Sequence, residues 1–261
     1  MTVLIVAASK SDVEVLRKAV DELYNSKVPY EFRVCSAHRT PEMLDSIMAK
    51  KKYEVIIAAA GLAAALPGVV AAKTTAPVIG VPLAGAFEGL DALMSIIQMP
   101  PGIPVLTTGV NNAEEAGKAA IKILGCEAEK VNIIAIRNKS QKAVDKATEL
   151  LKMFEIQYEL GQTERKDAVN IFFVDINEKK ILPQTTTALT IYCPTSGKDS
   201  STDAQKLLEL TRNGLWVGLN RGENAAVAAA EIMRKKQELS DYREIMRQNV
   251  EEADSEVHGK L

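Results

Sequence analysis

Ser36-Ala37-His38-Arg39-Thr40-Pro41 holds the chain's best-placed proton carrier. His38 is one of two histidines, and the other, His258, sits at the C-terminal end. An unperturbed imidazole pKa of about 6.5 allows both donation and uptake of a proton near neutrality. The alternating run Tyr30–Cys35 reads as a strand entering this segment. Pro41–Lys50 reads as a helix leaving it, with proline in the first turn. A loop between a strand's C-terminal end and a helix N-terminus is where open α/β folds place their chemistry. A plainer reading has Ser36 and Thr40 capping the helix and Arg39 in solvent.

A second such turn is Ser9-Lys10-Ser11-Asp12, between the apolar run Val3–Ala8 and a helix reaching about Ser26. Its hydroxyls and free backbone N–H groups suit a phosphate. It lacks the glycines of an ATP or dinucleotide loop, and Ser11 or Asp12 also serves as an N-cap.

The elements that position these turns follow in order. Tyr53–Ala59 is a buried strand leading to Ala60–Gly68, a loop of small apolar residues that lets backbone amides approach a ligand or lets helix and sheet pack closely. Strands at Pro77–Val81 and Pro104–Thr108 alternate with helices at Gly89–Gln98 and Ala113–Leu124. That alternation predicts an α/β fold with a parallel sheet covered on both faces.

The pattern then repeats. Val131–Ile136, Asn138–Gln141 and a helix through Phe154 retrace the first strand, turn and helix. Val169–Val174 retraces Val55–Ala59, Ile181–Pro183 retraces Ala65–Pro67, and Thr190–Pro194 retraces Val78–Pro82. Asn213–Val217 retraces Pro101–Val105. We read a tandem duplication whose second copy has lost about 14 residues, roughly the His38 loop and the following helix, by comparing spacings. It carries Asn138 and Gln141 in place of Ser9 and Asp12, the residue types of a structural or regulatory copy. Beyond Leu239 a polar helical tail keeps a narrow apolar stripe (Leu239, Tyr242, Ile245, Met246, Val250) suited to docking on a neighbour or on the chain's own body.

Composition narrows the classes. Hydrophobic residues are 47% and charged residues 25%, as in globular proteins, and a net charge of −2 leaves no footprint for nucleic acid. Three scattered cysteines form no disulfide framework or zinc site and suit a reducing compartment. The opening Thr2–Ala8 run is too short for a signal peptide or membrane span, so the expectation is a cytoplasmic protein without membrane attachment.

Ser9-Lys-Ser-Asp12, Ser36-Ala-His-Arg-Thr-Pro41 and Leu66-Pro-Gly68 with Ala71-Ala-Lys-Thr74 together resemble the 5-(carboxyamino)imidazole ribonucleotide mutase family, PurE class I, over residues 2–125. Ser95–Pro100 and Gly102–Val105 extend the likeness. The resemblance implies a flavodoxin-like three-layer α/β/α fold and a purine-biosynthetic step that moves a carboxylate from an exocyclic nitrogen to ring carbon C4. It implies no cofactor and no metal. The partners it implies are a small-molecule nucleotide substrate, CO2 and copies of the chain, forming a homotetramer. By the same resemblance His38 is the general acid and base, while Ser9, Ser11, Asp12, Ser36, Arg39, Gly61 and Leu66 bind substrate. The domains expected are a catalytic unit at 1–126, a degenerate repeat at 127–238 and a helical tail at 239–261.

Two departures stand out. The family loop usually reads Gly-Gly-Ala-Ala-His-Leu-Pro-Gly, whereas this chain has Leu62 and Ala65 at the second glycine and the histidine. The expectation is a pocket narrowed by Leu62 and missing one hydrogen-bonding group. Two other readings stay open at this point: a non-catalytic nucleotide-binding or regulatory protein, and a carboxylase acting directly on aminoimidazole ribonucleotide or a related nucleotide with CO2. His38-Arg39-Thr40-Pro41 favours the mutase, because the direct carboxylases carry His-Lys-Gly-Pro.

Overall fold

Strands that are apolar on both sides must be covered on both sides, and this chain meets that demand twice in sequence. The computed structural model describes residues 1–50, 52–135, 141–178, 187–197 and 200–258. The first half runs β1 (Val3–Ala7), a 3₁₀ turn (Lys10–Asp12), α1 (Val13–Asn25), β2 (Tyr30–Val34), α2 (Pro41–Met48), β3 (Val55–Ala60) and α3 (Leu66–Ala71). It continues through β4 (Val78–Pro82), α4 (Leu90–Ile97), β5 (Leu106–Thr107) and α5 (Ala113–Leu124). The second half runs β6 (Lys130–Ala135), α6 (Gln141–Met153), β7 (Gln157–Gly161), β8 (Val169–Asp175) and β9 (Thr190–Thr195). It ends with α7 (Ser201–Leu210), β10 (Leu215–Trp216), α8 (Gly222–Ile232) and α9 (Lys236–Val257).

All the strands join one sheet in the order β2-β1-β3-β4-β5-β10-β9-β8-β6-β7. Counted inward from its outer edge, each half shows the flavodoxin-like order 2-1-3-4-5. Pairing is parallel within each half and antiparallel only at the central Thr107–Trp216 pair. Helices α1, α5, α6 and α8 cover one face in a core that extends from Val3 to Leu239. Helices α2, α3 and α4 cover the other face in the first half, and α4 meets α7 across the join. The architecture is α/β with helices on both sides of a mostly parallel sheet.

Strand register puts the shortening of the second half in physical terms. Val3 pairs with Tyr30 and Val55, and Val131 pairs with Tyr158 and Val169. Tyr30 to Val55 therefore spans 25 positions where Tyr158 to Val169 spans 11, a difference of 14. What the second half lacks is the counterpart of the His38 loop and α2. In the first half Leu4 and Ile56 lie beneath Leu44 and Ile47 of α2. The same register positions in the second half are Asn132 and Asn170, both buried. The Asn132 amide nitrogen donates to the Thr163 carbonyl (2.9 Å) and to Asn170 Oδ1 (2.8 Å). The Asn170 amide nitrogen donates to the carbonyls of Arg165 (2.8 Å) and Leu189 (3.1 Å), and its Oδ1 accepts from Arg165 N (2.8 Å). Two amides thus fasten a short loop where a helix would otherwise lie on an apolar floor. Gly161 leaves room for this, since a Cβ there would collide with Asn132 Oδ1.

Two sequence expectations change, and a third, left open between a neighbour and the chain's own body, is decided for most of the tail's stripe. Leu66–Ala71, read as part of a loop and its exit, is a helix, opened by proline in its first turn and packed through Leu66 and Val70. The central strands of the two halves correspond as Leu106–Thr107 and Leu215–Trp216, because Leu106 pairs with Ile79 and Leu215 with Ile191. The expected match of Asn213–Val217 to Pro101–Val105 is offset from this by three positions. Most of the tail's apolar stripe is spent on the chain's own body: Leu239 is in the core, Tyr242 meets Phe154 edge-on at 5.5 Å, and Met246 lies over Gly102. Arg243 clamps the same helix by donating to buried Glu231 (3.0 Å) and to the Ala71 carbonyl (2.9 Å). Burial pushes the Glu231 carboxyl up to about 8, against the pull of Arg243.

Ile181–Pro183 and Asn138, matched above to the first half, lie outside the described residues.

The α6–α8 contact yields a stability prediction. A Cβ on Gly222 would overlap the Ala143 carbonyl, which is backbone and has no rotamer to escape into. Gly222→Ala should destabilise the protein by about 1–3 kcal/mol, the usual cost of overpacking. Urea unfolding would read this as a lowered midpoint, and an unchanged midpoint would show that the helices separate freely.

Candidate functional site

The C-terminal ends of β1, β2 and β3 are adjacent, and pairing continues past them: Cys35 N donates to the Ala7 carbonyl (2.8 Å) and Ala8 N to the Ala59 carbonyl (3.2 Å). The loops that follow therefore start side by side. In the first, the Asp12 carboxylate accepts from Ser9 N (2.8 Å), Ser9 Oγ (2.8 Å) and Ser11 Oγ (3.0 Å). The two hydroxyls are 2.5 Å apart. Asp12 is the residue before α1, yet its side chain makes no cap bond to that helix and folds back over the turn. Ser9, Ser11 and Asp12 form one small polar cluster.

The second loop is tied to the first by Arg39. Its Nη2 donates to the Ala8 carbonyl (3.1 Å), and its Nε and backbone N–H both donate to Ser36 Oγ (3.3 Å each). Thr40 closes the base of the loop, with Oγ1 accepting from Ser36 N (3.0 Å) and donating to the Ser36 carbonyl (3.2 Å). Ser36 and Thr40 thus fold the loop; neither side chain makes a cap bond to α2. At the tip of this braced turn His38 is exposed, and among the described residues nothing hydrogen-bonds its ring. An imidazole on a fixed backbone with both nitrogens free is open to a substrate's proton.

The third loop supplies Gly61 and Leu66. Leu83 N donates to the Ala60 carbonyl (3.0 Å), carrying the β3–β4 pairing up to Gly61. Leu66 is 2% exposed, so its side chain belongs to the core and only its backbone is left to meet a ligand. At the first position of α3 its amide is one of those a helix leaves without an internal partner. Leu62 is 74% exposed, so in the single chain it projects outward and does not narrow a pocket. Ala65 precedes α3, and Ala63 sits at φ 46°, a left-handed backbone turn.

Asn111 shapes the fourth loop, and nothing in the run Val110-Asn111-Asn112 announces it. At φ 58° its N–H donates to the Pro82 carbonyl (2.8 Å) and its Oδ1 accepts from Ala84 N (2.9 Å). The second half repeats the device with Asn220, also at φ 58°, on Pro194 (2.8 Å) and Ser196 N (3.0 Å). Of the second half's counterpart to the polar cluster, Gln141 is described: it is the first residue of α6 and its amide donates to Asp145 (2.7 Å) within that helix.

Electrostatically the site pairs one carboxylate with one guanidinium, each already held by neutral groups. The carboxylate accepts, so it suits hydroxyl donors such as those of a ribose. The guanidinium donates, so it suits phosphate. A cleft of about 800 Å³ lies away from this cluster, at the N-terminal ends of β3 and β4 beside α9. The chemistry-bearing residues instead occupy an open ledge on the surface of a single chain.

Comparison with known proteins bears on the first half. The family model described as AIR carboxylase matches residues 2–143. An N5-carboxyaminoimidazole ribonucleotide mutase of Methanocaldococcus jannaschii is 47% identical over 152 residues, which are 58% of this chain and 97% of that protein. A protein of the same name from Pyrococcus abyssi is 51% identical over 124 residues, covering 46% of this chain and 71% of the relative. A crystal structure of Treponema denticola PurE is 31% identical and covers 47% of this chain and 80% of its own, with a TM-score of 0.41.

Proposed function

The chain belongs to the AIR carboxylase family, and from that premise we propose how its first half carries out the family's chemistry. It is a purine-biosynthetic enzyme, an N5-carboxyaminoimidazole ribonucleotide mutase. Its reaction moves the carboxylate of a small nucleotide from the exocyclic nitrogen to ring carbon C4.

The observation that carries the assignment of residues is the bracing of the His38 loop onto the Ser9–Asp12 turn through Arg39. In our reading Arg39 holds the substrate phosphate together with Ser9 and Ser11, whose hydroxyl hydrogens swing from Asp12 to the phosphate oxygens. Asp12, an acceptor only, takes the ribose hydroxyls. Ser36 keeps Arg39 in place, and the backbone at Gly61 and Leu66 lines the base and the CO2. Protonated His38 gives its proton to the carbamate nitrogen as the N–C bond breaks and CO2 departs. Carbon C4 then attacks that CO2, and the C4 proton returns to His38, so the imidazole ends the cycle as it began. No redox step and no external proton are involved.

The ledge needs cover, because free CO2 escapes an open surface. Leu62 and Phe87, 74% and 78% exposed, stand at the C-terminal ends of β3 and β4, where a neighbouring molecule would shield them. We therefore propose a homotetramer, in which the two halves of each chain supply eight five-stranded units to a closed particle. In this scheme residues 1–126 do the chemistry, 127–238 arise by duplication and supply packing surface, and 239–261 form a docking tail. Three free cysteines fit a cytoplasmic location.

Each part of the proposal has its own check. His38→Asn should lower turnover by at least about 10²–10⁴-fold, the usual worth of a positioned acid–base group, with an unchanged circular dichroism spectrum. Substantial mutase activity in that variant would remove His38 from the mechanism. Arg39→Ala and Asp12→Ala should each weaken nucleotide binding about tenfold or more, since a hydrogen bond to a charged group contributes about 1.5–3 kcal/mol. Gln141→Ala should leave binding unchanged, and titration calorimetry should find one ligand per chain. Two ligands per chain would mean that the second half also binds. Light scattering should give about 113 kDa for four chains of 28.3 kDa, and an active monomer would overturn the assembly.

A further inference from the structure

Helix α9 is two different surfaces end to end. Residues from Lys236 to Met246 lie against the body through Leu239, Tyr242, Arg243 and Met246. From Arg247 to His258 every residue is exposed. A free-standing helix of this length is marginal in water, because tertiary packing supplies most helical stability in proteins. The projecting part nevertheless keeps an apolar stripe. Val250, Ala253 and Val257 continue the line of Met246 at spacings of four, three and four, the seam a helix shows to a partner helix.

Charge divides at the same point. Residues 234–247 carry five cations, Arg234, Lys235, Lys236, Arg243 and Arg247, against Glu238, Asp241 and Glu244. The projecting arm carries Glu251, Glu252, Asp254 and Glu256 and, among the described residues, no lysine or arginine. The cleft of about 800 Å³ is lined by the first half of α9, the residues just before it and the corner that follows α3, with Lys73, Arg234, Lys236, Arg243 and Arg247 set against Glu54, Glu231 and Glu244, an excess of two positive charges. An acidic helix fits that cleft, yet the arm that has the right charge points away from it in its own chain.

We propose that the occupant is the arm of a second copy of this chain. The two α9 helices pair antiparallel about a two-fold axis near Arg247, each acidic arm lying in the basic cleft of the other copy. Antiparallel pairing is what this charge distribution selects, since a parallel pair would set acidic end beside acidic end. Arg247, which meets its own copy at the axis, is already flanked by Glu244 and by Glu251 (2.7 Å) in its own helix. Val250 and Val257 leave water against the partner's α9, and the arm's carboxylates meet Lys236 and Lys73. The contact is isologous, so each pair closes on itself and does not grow into a filament.

The experiment uses the full chain carrying Val250→Glu and Val257→Glu. Sedimentation velocity should show the particle mass halved at equal protein concentration, with helical content and mutase activity per folded chain retained. Raising the salt of the parent protein from 0.1 to 1 M should weaken the same contact, because the screening length falls from about 10 to about 3 Å. A second variant tests the register independently of total mass: Gln248→Cys, next to the axis, in a Cys126→Ser background. Mild oxidation should trap a disulfide-linked pair of chains, and the two glutamate substitutions should abolish it. An unchanged mass in the double variant, or no trapped pair, would overturn the proposal. Either result leaves the mutase assignment intact, since that rests on the first half and is read by turnover.

Discussion

A parallel sheet cannot leave either face wet, and most of this structure follows from how that requirement is met. In the first half α2 covers the outer part of one face, and the loop that must precede α2 is the one carrying His38 and Arg39. The candidate site and the cover are supplied by the same short segment. In the second half the segment is absent and the floor has changed with it, Asn132 and Asn170 standing where Leu4 and Ile56 are. Their side-chain bonds to the Thr163, Arg165 and Leu189 backbone replace the burial that α2 provides. An unpaired buried amide costs about 1–3 kcal/mol, so this solution holds only because nearly every group is matched.

The two halves are joined where their strands are shortest. One antiparallel pair, Thr107 with Trp216, turns two parallel sheets into a single one. Side chains secure the seam: Asn224 bonds Gly102 N (2.7 Å) and the Pro100 carbonyl (3.0 Å), and Gln98 accepts from Leu219 N (3.0 Å). Tyr192 stacks on Trp216 at 4.9 Å beside Leu93 and Ile97 of α4. Neither half has an uncovered inner edge, so the unpaired edges of the sheet are β2 and β7. Both are only five residues long, and β2 carries Glu31 surrounded by Arg33, Lys50 and Lys52, a charged border that discourages further strand pairing.

Much of this was readable beforehand, for reasons that differ by element. The long apolar runs Val3–Ala7 and Val55–Ala60 declare buried strands, and the His38 loop lies between a strand and a helix that periodicity already marks. The spacing between strands was enough to see that the second half is 14 residues shorter at this point. Helix α3 escaped notice because six residues with proline and glycine among them carry no helical period. The central strands escaped because two residues carry no pattern at all. Asn132 and Asn170 look like the polar side of an exposed strand, and only the loop lying over them shows them to be buried. The position of Leu66 in the core is likewise a tertiary fact, since its neighbours Ala63–Ala65 read as open loop.

The asparagine pair also bears on what this protein can become. Inserting a histidine loop and helix into the second half would set an apolar helix face on two amides whose present partners had been displaced. The insertion and aliphatic residues at both positions would have to arrive together, because either change alone leaves buried polar groups unpaired and destabilises the fold. No single step therefore places a histidine loop on the second half, while what this half presents to other molecules is free to vary.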